Sequence, residues 1–198
     1  MMITGCKFTL NPLKLQKRFA NFARYMKRIL LVVFGLLGCA ACFAQQKGPF
    51  ASYLDRVGSY PFLLIDKDSF TLTVVDSLGF EITHYGVALG VNYGNKTCSG
   101  DHKTPEGVFK IKQLLNSRGL THDFGDGKGP VRDAYGPWFL RLDCPVSNVI
   151  GIHGTHLPES IGTRATEGCV RLCNEDILDL KPRVHVGTYV IITPDIIQ

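Results

Sequence analysis

The sequence has little that would suit a nucleic-acid-binding or membrane-spanning protein. Its 198 residues carry a formal net charge of +5, but residues 1–44 hold seven basic residues and no acidic one. The rest of the chain has 15 basic and 17 acidic residues, so no basic surface argues for nucleic-acid binding. The apolar run from Ile29 to Leu37 is too short to span a bilayer. There are no internal repeats, and the Asp residues of 116–136 do not fit a calcium loop.

Residues 1–44 are predicted to be a leader with a signal peptide. From Met26, which is an alternative start, two positive charges precede the apolar run, and small residues then lead to Gln45. This three-part layout predicts export to the periplasm or cell envelope, with no membrane span in the mature form. The stretch "LLGC" at Leu36–Cys39 resembles a lipoprotein processing site, so a lipid anchor on Cys39 is the alternative.

The rest of the chain is predicted to be a short lead-in, residues 45–60, and one domain, residues 61–195. Its class is mainly β, a sandwich or barrel. The clearest strand alternates apolar Phe70, Leu72 and Val74 with threonines, as a half-buried strand does. Strands are predicted at 62–66, 69–76, 80–90, 107–113, 137–143, 148–154 and 187–194.

One short helix and one long irregular loop complete the predicted domain. "NEDILDLKP" begins with Asn174 as the expected N-cap, has acidic residues in its first turn and ends at Pro182. The loop covers residues 116–136. Loops of this length inside a compact domain are usually functional.

Four cysteines lie beyond the leader, and in an oxidising compartment each is a candidate for a disulfide. We expect Cys98 and Cys144 to pair. Cys173 is expected to be a small buried residue beside the helix. The alternative is a reversible disulfide with Cys169 that switches off the activity.

Cys169 and His153 are the candidate reactive residues. A thiol becomes a good nucleophile when a nearby imidazole takes its proton, and His153 stands 16 residues upstream of Cys169. Gly168 allows a tight turn before the cysteine and is expected to direct backbone N–H groups at a developing oxyanion. A cysteine and a histidine alone would be a weak signal.

A longer pattern is far more specific. The stretch "HGTHLPESIGTRATEGCVRLCNEDILDL", residues 153–180, resembles the signature of the L,D-transpeptidases with a YkuD-type catalytic domain. The segments "KTPEGVFKI", "YGPWFLRL" and "VHVGTYVII" resemble other parts of that domain, so the likeness extends from Phe62 to Ile192. The residues in register with the signature are His153, Gly154, Thr155, Ser160, Ile161, Gly162, Thr166, Gly168, Cys169, Arg171 and Asn174.

This resemblance implies roles for individual residues. Cys169 would be the nucleophile and His153 its base, with a backbone carbonyl near Gly154 orienting the imidazole. Gly168, Gly154 and Thr155 would form the oxyanion or positioning groups. The expected substrate-binding residues are Arg171, Glu167, Thr166, Trp138 and Tyr135, although Arg171 also suits an internal ion pair and Trp138 the core.

The resemblance also implies a reaction on peptidoglycan stem peptides. Cys169 would form a thioester with a tetrapeptide stem and release D-alanine. The acyl group would then pass to an amine acceptor, giving a 3→3 cross-link or a protein attachment. The family's reaction implies no metal and no organic cofactor, and we expect a monomer.

Glu167 is the departure from the family pattern, because it stands where the family carries a second histidine. An unpaired carboxylate so near a thiol disfavours ionisation of the thiol. Three alternatives stay open: an L,D-carboxypeptidase with water as the acceptor, a non-catalytic wall-binding protein, and a metallohydrolase using His153, His156 and Cys169. The last fits no zinc spacing.

Overall fold

A computed structural model describes residues 46–196 of the protein. The predicted leader, its cleavage site and a lipid anchor on Cys39 lie outside the described residues. Within 46–196, no helix is both long enough and apolar enough to cross a membrane.

The described residues are mainly β, as predicted. The α-helices are α1 (Leu54–Val57) and α2 (Asn174–Leu180), and 3₁₀ turns occupy Ala51–Tyr53, Pro158–Ser160 and Lys181–Arg183. The strands within 46–196 are β1 (Phe62–Asp66), β2 (Thr71–Val75), β3 (Glu81–Gly86), β4 (Leu89–Gly90), β5 (Gly107–Asn116), β6 (Thr121–His122), β7 (Val131–Arg132), β8 (Trp138–Leu142), β9 (Gly151–His153), β10 (Arg164–Thr166), β11 (Val170–Arg171) and β12 (Tyr189–Ile192).

Eight of these strands form one curled sheet in the order β11-β9-β8-β5-β12-β1-β2-β3. The β1–β12 and β9–β11 pairs are parallel, and the other pairs of this sheet are antiparallel. All seven predicted strand segments contain a strand of this sheet. Two small sheets, β4–β10 and β6–β7, lie outside it.

The predicted half-buried character of β2 is wrong, because both faces of this strand are covered. Leu72 and Val74 pack in the main core, and the threonines between them are buried as well. The cover comes from the lead-in, where α1 contributes Leu54 and Val57 to a second core. The lead-in is therefore not the featureless segment that its sequence suggested.

Two further expectations need correction. The N-cap of α2 is Cys173 rather than Asn174, which is the first helical residue. Its side chain is used elsewhere, since Asn174 Oδ1 accepts from Thr155 N at 2.8 Å and Nδ2 donates to Thr155 O at 2.9 Å. The loop 116–136 is not wholly irregular, because β6 and β7 form a hairpin inside it.

Candidate active site

His153 and Cys169 lie near the β11 edge of the sheet. β9 and β11 are parallel neighbours, with Val170 opposite Ile152 and Arg171 opposite His153. His153 is the last residue of β9, and Cys169 directly precedes β11. The two side chains line the same groove.

The turn before the nucleophile is built by Thr166 and Gly168. Thr166 Oγ1 accepts from Gly168 N at 3.1 Å and donates to Cys169 O at 2.7 Å. Gly168 has φ +122°, and a Cβ there would stand 2.6 Å from Lys103 O, so only glycine fits. The N–H of Gly168 itself is engaged by Thr166, so in this structure the residue shapes the turn; its oxyanion role stays a prediction.

The N–H groups of Gly154 and Thr155 also have partners within the fold. Gly154 N donates to Trp138 O at 3.3 Å, and Thr155 is held by both ends of the Asn174 amide. Their N–H groups are therefore engaged within the fold. These residues hold the chain immediately after His153 and position its ring.

His153 is buried in an aromatic setting. Its ring stacks on Phe139 at a centroid distance of 5.4 Å and meets the edge of Tyr135 at 5.1 Å. Nδ1 lies 2.5 Å from Gly154 O, which only accepts, so Nδ1 carries the hydrogen and Nε2 keeps its lone pair. Burial, opposed by the Gly154 hydrogen bond and aided by the nearby Arg171 charge, lowers the pKa of His153 to about 3. The imidazole is thus neutral in the resting site, with its Nε2 lone pair unprotonated.

Cys169 is half-buried and also neutral. Its Sγ donates to Val149 O at 3.4 Å. Burial raises the pKa of the Cys169 thiol to about 11, opposed by a backbone hydrogen bond from Gly151 and by the Arg171 charge, while Glu167 raises it further. The resting site is therefore a neutral thiol beside a neutral imidazole, not an ion pair.

Arg171 is a buried cation with few partners. Its Nη1 donates to Ser160 Oγ at 3.0 Å, and its Nε has no hydrogen-bond partner. Among residues 46–196 no carboxylate lies within ion-pair distance of it, so the internal ion pair considered from the sequence is not formed there. The cation is left available to an anionic group in the adjoining groove.

A groove of about 470 Å³ contains the candidate nucleophile and base. Of the predicted substrate-binding residues, Arg171, Glu167, Thr166 and Tyr135 line it. Trp138 does not, and its ring lies instead under Lys181 Nζ at 4.8 Å. The full lining is Lys96, Ser99, Gly100, His102, His122, Phe124, Ala134, Tyr135, Ser147, Val149, Ile150, His153, Thr166, Glu167, Cys169 and Arg171.

Sequence reasoning missed the part of this wall that comes from the β6–β7 hairpin. His122 Nε2 lies 2.9 Å from Glu167 Oε2, and its ring contacts Phe124 at 4.5 Å and Tyr135 at 5.6 Å. The rings of His122 and Phe124 in "THDF" stand out in an otherwise polar loop and could have indicated a binding wall. Nothing in the sequence spacing linked it to residue 167.

Geometry also bears on the disulfide predicted between Cys98 and Cys144. In the described part of the chain no three His, Cys, Asp or Glu side chains converge as metal ligands would. The Cys98–Cys144 disulfide is wrong: both are free, Cys98 exposed and Cys144 buried in the main core. Cys169 is free too, and Cys173 is buried beside the start of α2, as expected.

Comparison with known proteins gives a consistent result. Residues 61–192 match the profile described as the YkuD L,D-transpeptidase catalytic domain. YqjB of Bacillus subtilis, which carries the name L,D-transpeptidase, is 30% identical over 137 residues, covering 68% of this chain and 72% of YqjB. YkuD of Bacillus licheniformis is 52% identical over 92 residues, and the match spans 46% of each protein.

Solved structures share the fold at low sequence identity. An L,D-transpeptidase from Xylanimonas cellulosilytica superposes with a TM-score of 0.50 at 19% identity, over 73% of this chain and 70% of that one. L,D-transpeptidase 3 from Mycobacterium tuberculosis, solved with a faropenem-derived adduct, gives 0.51 at 17% identity, over 67% and 60% of the two chains.

Proposed function

Because the chain belongs to the L,D-transpeptidase catalytic-domain family, we propose that it is a peptidoglycan acyltransferase with Cys169 as nucleophile. The observation that carries this proposal is that Cys169 and His153 line the same groove at the sheet edge. The free lone pair on His153 Nε2 supports a role as the base.

The proposed first half-reaction acylates the enzyme. His153 Nε2 takes the thiol proton, and the sulfur attacks the carbonyl carbon of the third residue of a tetrapeptide stem. The C–N bond to the terminal D-alanine breaks, and the imidazolium returns its proton to the leaving amine. The products are a Cys169 thioester and free D-alanine.

The proposed second half-reaction transfers the acyl group to an amine acceptor. The C–S bond breaks as the new amide forms, and the thiol is restored. Arg171 supports binding of an anionic group of the donor, because it is a buried cation beside the nucleophile with no carboxylate partner in the described part of the chain. The predicted leader supports export, which would bring the enzyme to its substrate.

Intact-protein mass spectrometry with a tetrapeptide stem tests this proposal. The wild type should gain the mass of the stem without its terminal D-alanine, and D-alanine should appear in solution. Cys98→Ser is the matched control, since Cys98 is an exposed free thiol outside the groove lining, and it should acylate normally. Absence of an adduct on the wild type, or an unchanged adduct on Cys169→Ala, would overturn the proposal.

A further inference from the structure

Glu167 is the one carboxylate among the side chains that line the groove within residues 46–196. Its side chain is 44% exposed, and its Oε2 is held by His122 while Oε1 has no partner in the described part of the chain. It lies two residues from the nucleophile. A carboxylate at this place opposes ionisation of the thiol, so it works against the first half-reaction.

The surroundings of Glu167 suit a cation. Phe124 and Tyr135 line the same groove, and both contact the ring of His122, the residue that holds the carboxylate. Aromatic rings and a carboxylate in one groove are a combination that binds ammonium groups, since the ring quadrupole and the negative charge attract the same ligand. Of the cations in the lining, Lys96 is already paired with Asp101 at 2.6 Å, and Arg171 is not within ion-pair distance of Glu167.

We propose that Glu167, with Phe124 and Tyr135, forms a subsite for a primary ammonium, and that its ligand is the amine of the acyl acceptor. This inference rests on the proposed acyl transfer. Once the thioester has formed, the sulfur carries no charge for the carboxylate to oppose. The acceptor, in contrast, reaches the groove as a cation, and a fixed negative charge raises its local concentration.

The proton balance of the step is complete. The acceptor ammonium first releases one proton to water. The neutral amine then attacks the thioester carbon, the C–S bond breaks, and the second amine proton passes through His153 Nε2 to the sulfur of Cys169. The products are an amide, a restored thiol and one proton. Glu167 stays ionised throughout and makes no bond to the acyl group, so it is a positioning residue.

The subsite also distinguishes an amine acceptor from water. Water has no charge for Glu167 to attract, so the carboxylate favours transfer over hydrolysis of the thioester. The histidine that the family usually carries at this position would not supply a negative charge. Glu167 therefore determines the balance between transpeptidase and carboxypeptidase products in this chain.

Two acceptors test the proposal on the acylated enzyme. Butylamine is a primary ammonium at neutral pH, whereas hydroxylamine is uncharged. Both can attack the thioester as nucleophiles. Removal of one charge should raise the half-saturating concentration of butylamine about five- to tenfold in Glu167→Gln, with hydroxylamine unchanged. Product amide, hydroxamate and hydrolysed stem are counted by mass spectrometry, and a thermal melt verifies folding.

Glu159→Gln is the matched control. Glu159 is exposed, close enough to Arg171 to act on its charge, and outside the groove lining, so both acceptors should behave as in the wild type. An equal effect of Glu167→Gln on both acceptors, or none on butylamine, overturns the subsite. Failure of the proposed function looks different, because the wild type would then form no acyl-enzyme at all.

Discussion

Two regions of the molecule hold buried charge and treat it in opposite ways. Lys67 is fully buried and lies 2.7 Å from Glu106 and 2.8 Å from Asp195. Its Nζ also donates to the carbonyls of Gly94 at 3.1 Å and Thr104 at 3.3 Å. Every hydrogen of this ammonium has a partner, and the cluster ties β1 to the chain before β5 and after β12.

The groove that Cys169 and His153 line leaves a buried cation without a counter-ion. Arg171 is as buried as many core residues and has a single hydroxyl partner. Glu167, in the same groove but half-exposed, has a single imidazole partner. A buried charge without a counter-ion costs stability, so the fold gains nothing from this arrangement by itself. The Lys67 cluster therefore stabilises the fold, whereas Arg171 does not gain stability from an ion pair within residues 46–196, which is consistent with the anion-binding role proposed for it.

The largest effect should come from the groove. His153→Gln removes the base, and the rate of acylation by a tetrapeptide stem should fall about 10²- to 10⁴-fold. A time course of intact-protein masses measures it. The melting temperature should change little, because the neutral ring is held by one carbonyl and by stacking. A fall in rate below tenfold would contradict the role of His153.

The saturated cluster should respond in stability instead. Lys67→Met removes the only cation paired with Glu106 among residues 46–196 and leaves Asp195 with Arg164 alone. The free energy of unfolding should therefore fall by about 3–5 kcal/mol. Urea denaturation measures it, with Lys128→Met as the control, because that lysine forms only an exposed pair with Asp126. An equal loss of stability in the two variants would show that burial of Lys67 does not determine its contribution to the free energy of unfolding.

The neutral resting state predicts a pH profile for alkylation of Cys169. With the pKa of the thiol near 11 and that of His153 near 3, the thiolate fraction should rise about tenfold for each pH unit between about pH 6 and 9. Peptide mass spectrometry after iodoacetamide treatment follows Cys169 separately from Cys98. A plateau above neutral pH would indicate a thiolate–imidazolium pair and contradict this state.

The smallest expected effect is on the alkylation rate of Cys169 when Glu167 is replaced. Glu167→His removes the negative charge that raises the pKa of Cys169, so the alkylation rate at fixed pH should rise about three- to tenfold. Glu159→His, outside the groove lining, should alter it less. A slower reaction in Glu167→His would mean that the carboxylate assists the thiol.

Much of the sheet could be predicted because the order of apolar and polar residues within each strand is a local pattern. Alternation and apolar runs located seven of its eight strands, and the two-residue β11 was not predicted. The sequence did not indicate α1, because four residues are too few to show a helical period. The burial of these residues also depends on distant contacts, such as those with β2. The cap of α2 was missed because Asn174 is used by Thr155, a contact across 19 residues.

The sequence by itself determined the family and indicated the candidate reactive pair, because the motif 153–180 keeps the family's residue types at the family's spacing. Tertiary structure alone decided which N–H groups are engaged, which cysteines are free and which side chains line the groove. The physical reason is that burial and partners come from distant segments. His122 meets Glu167 across 45 residues, and no local pattern records that contact.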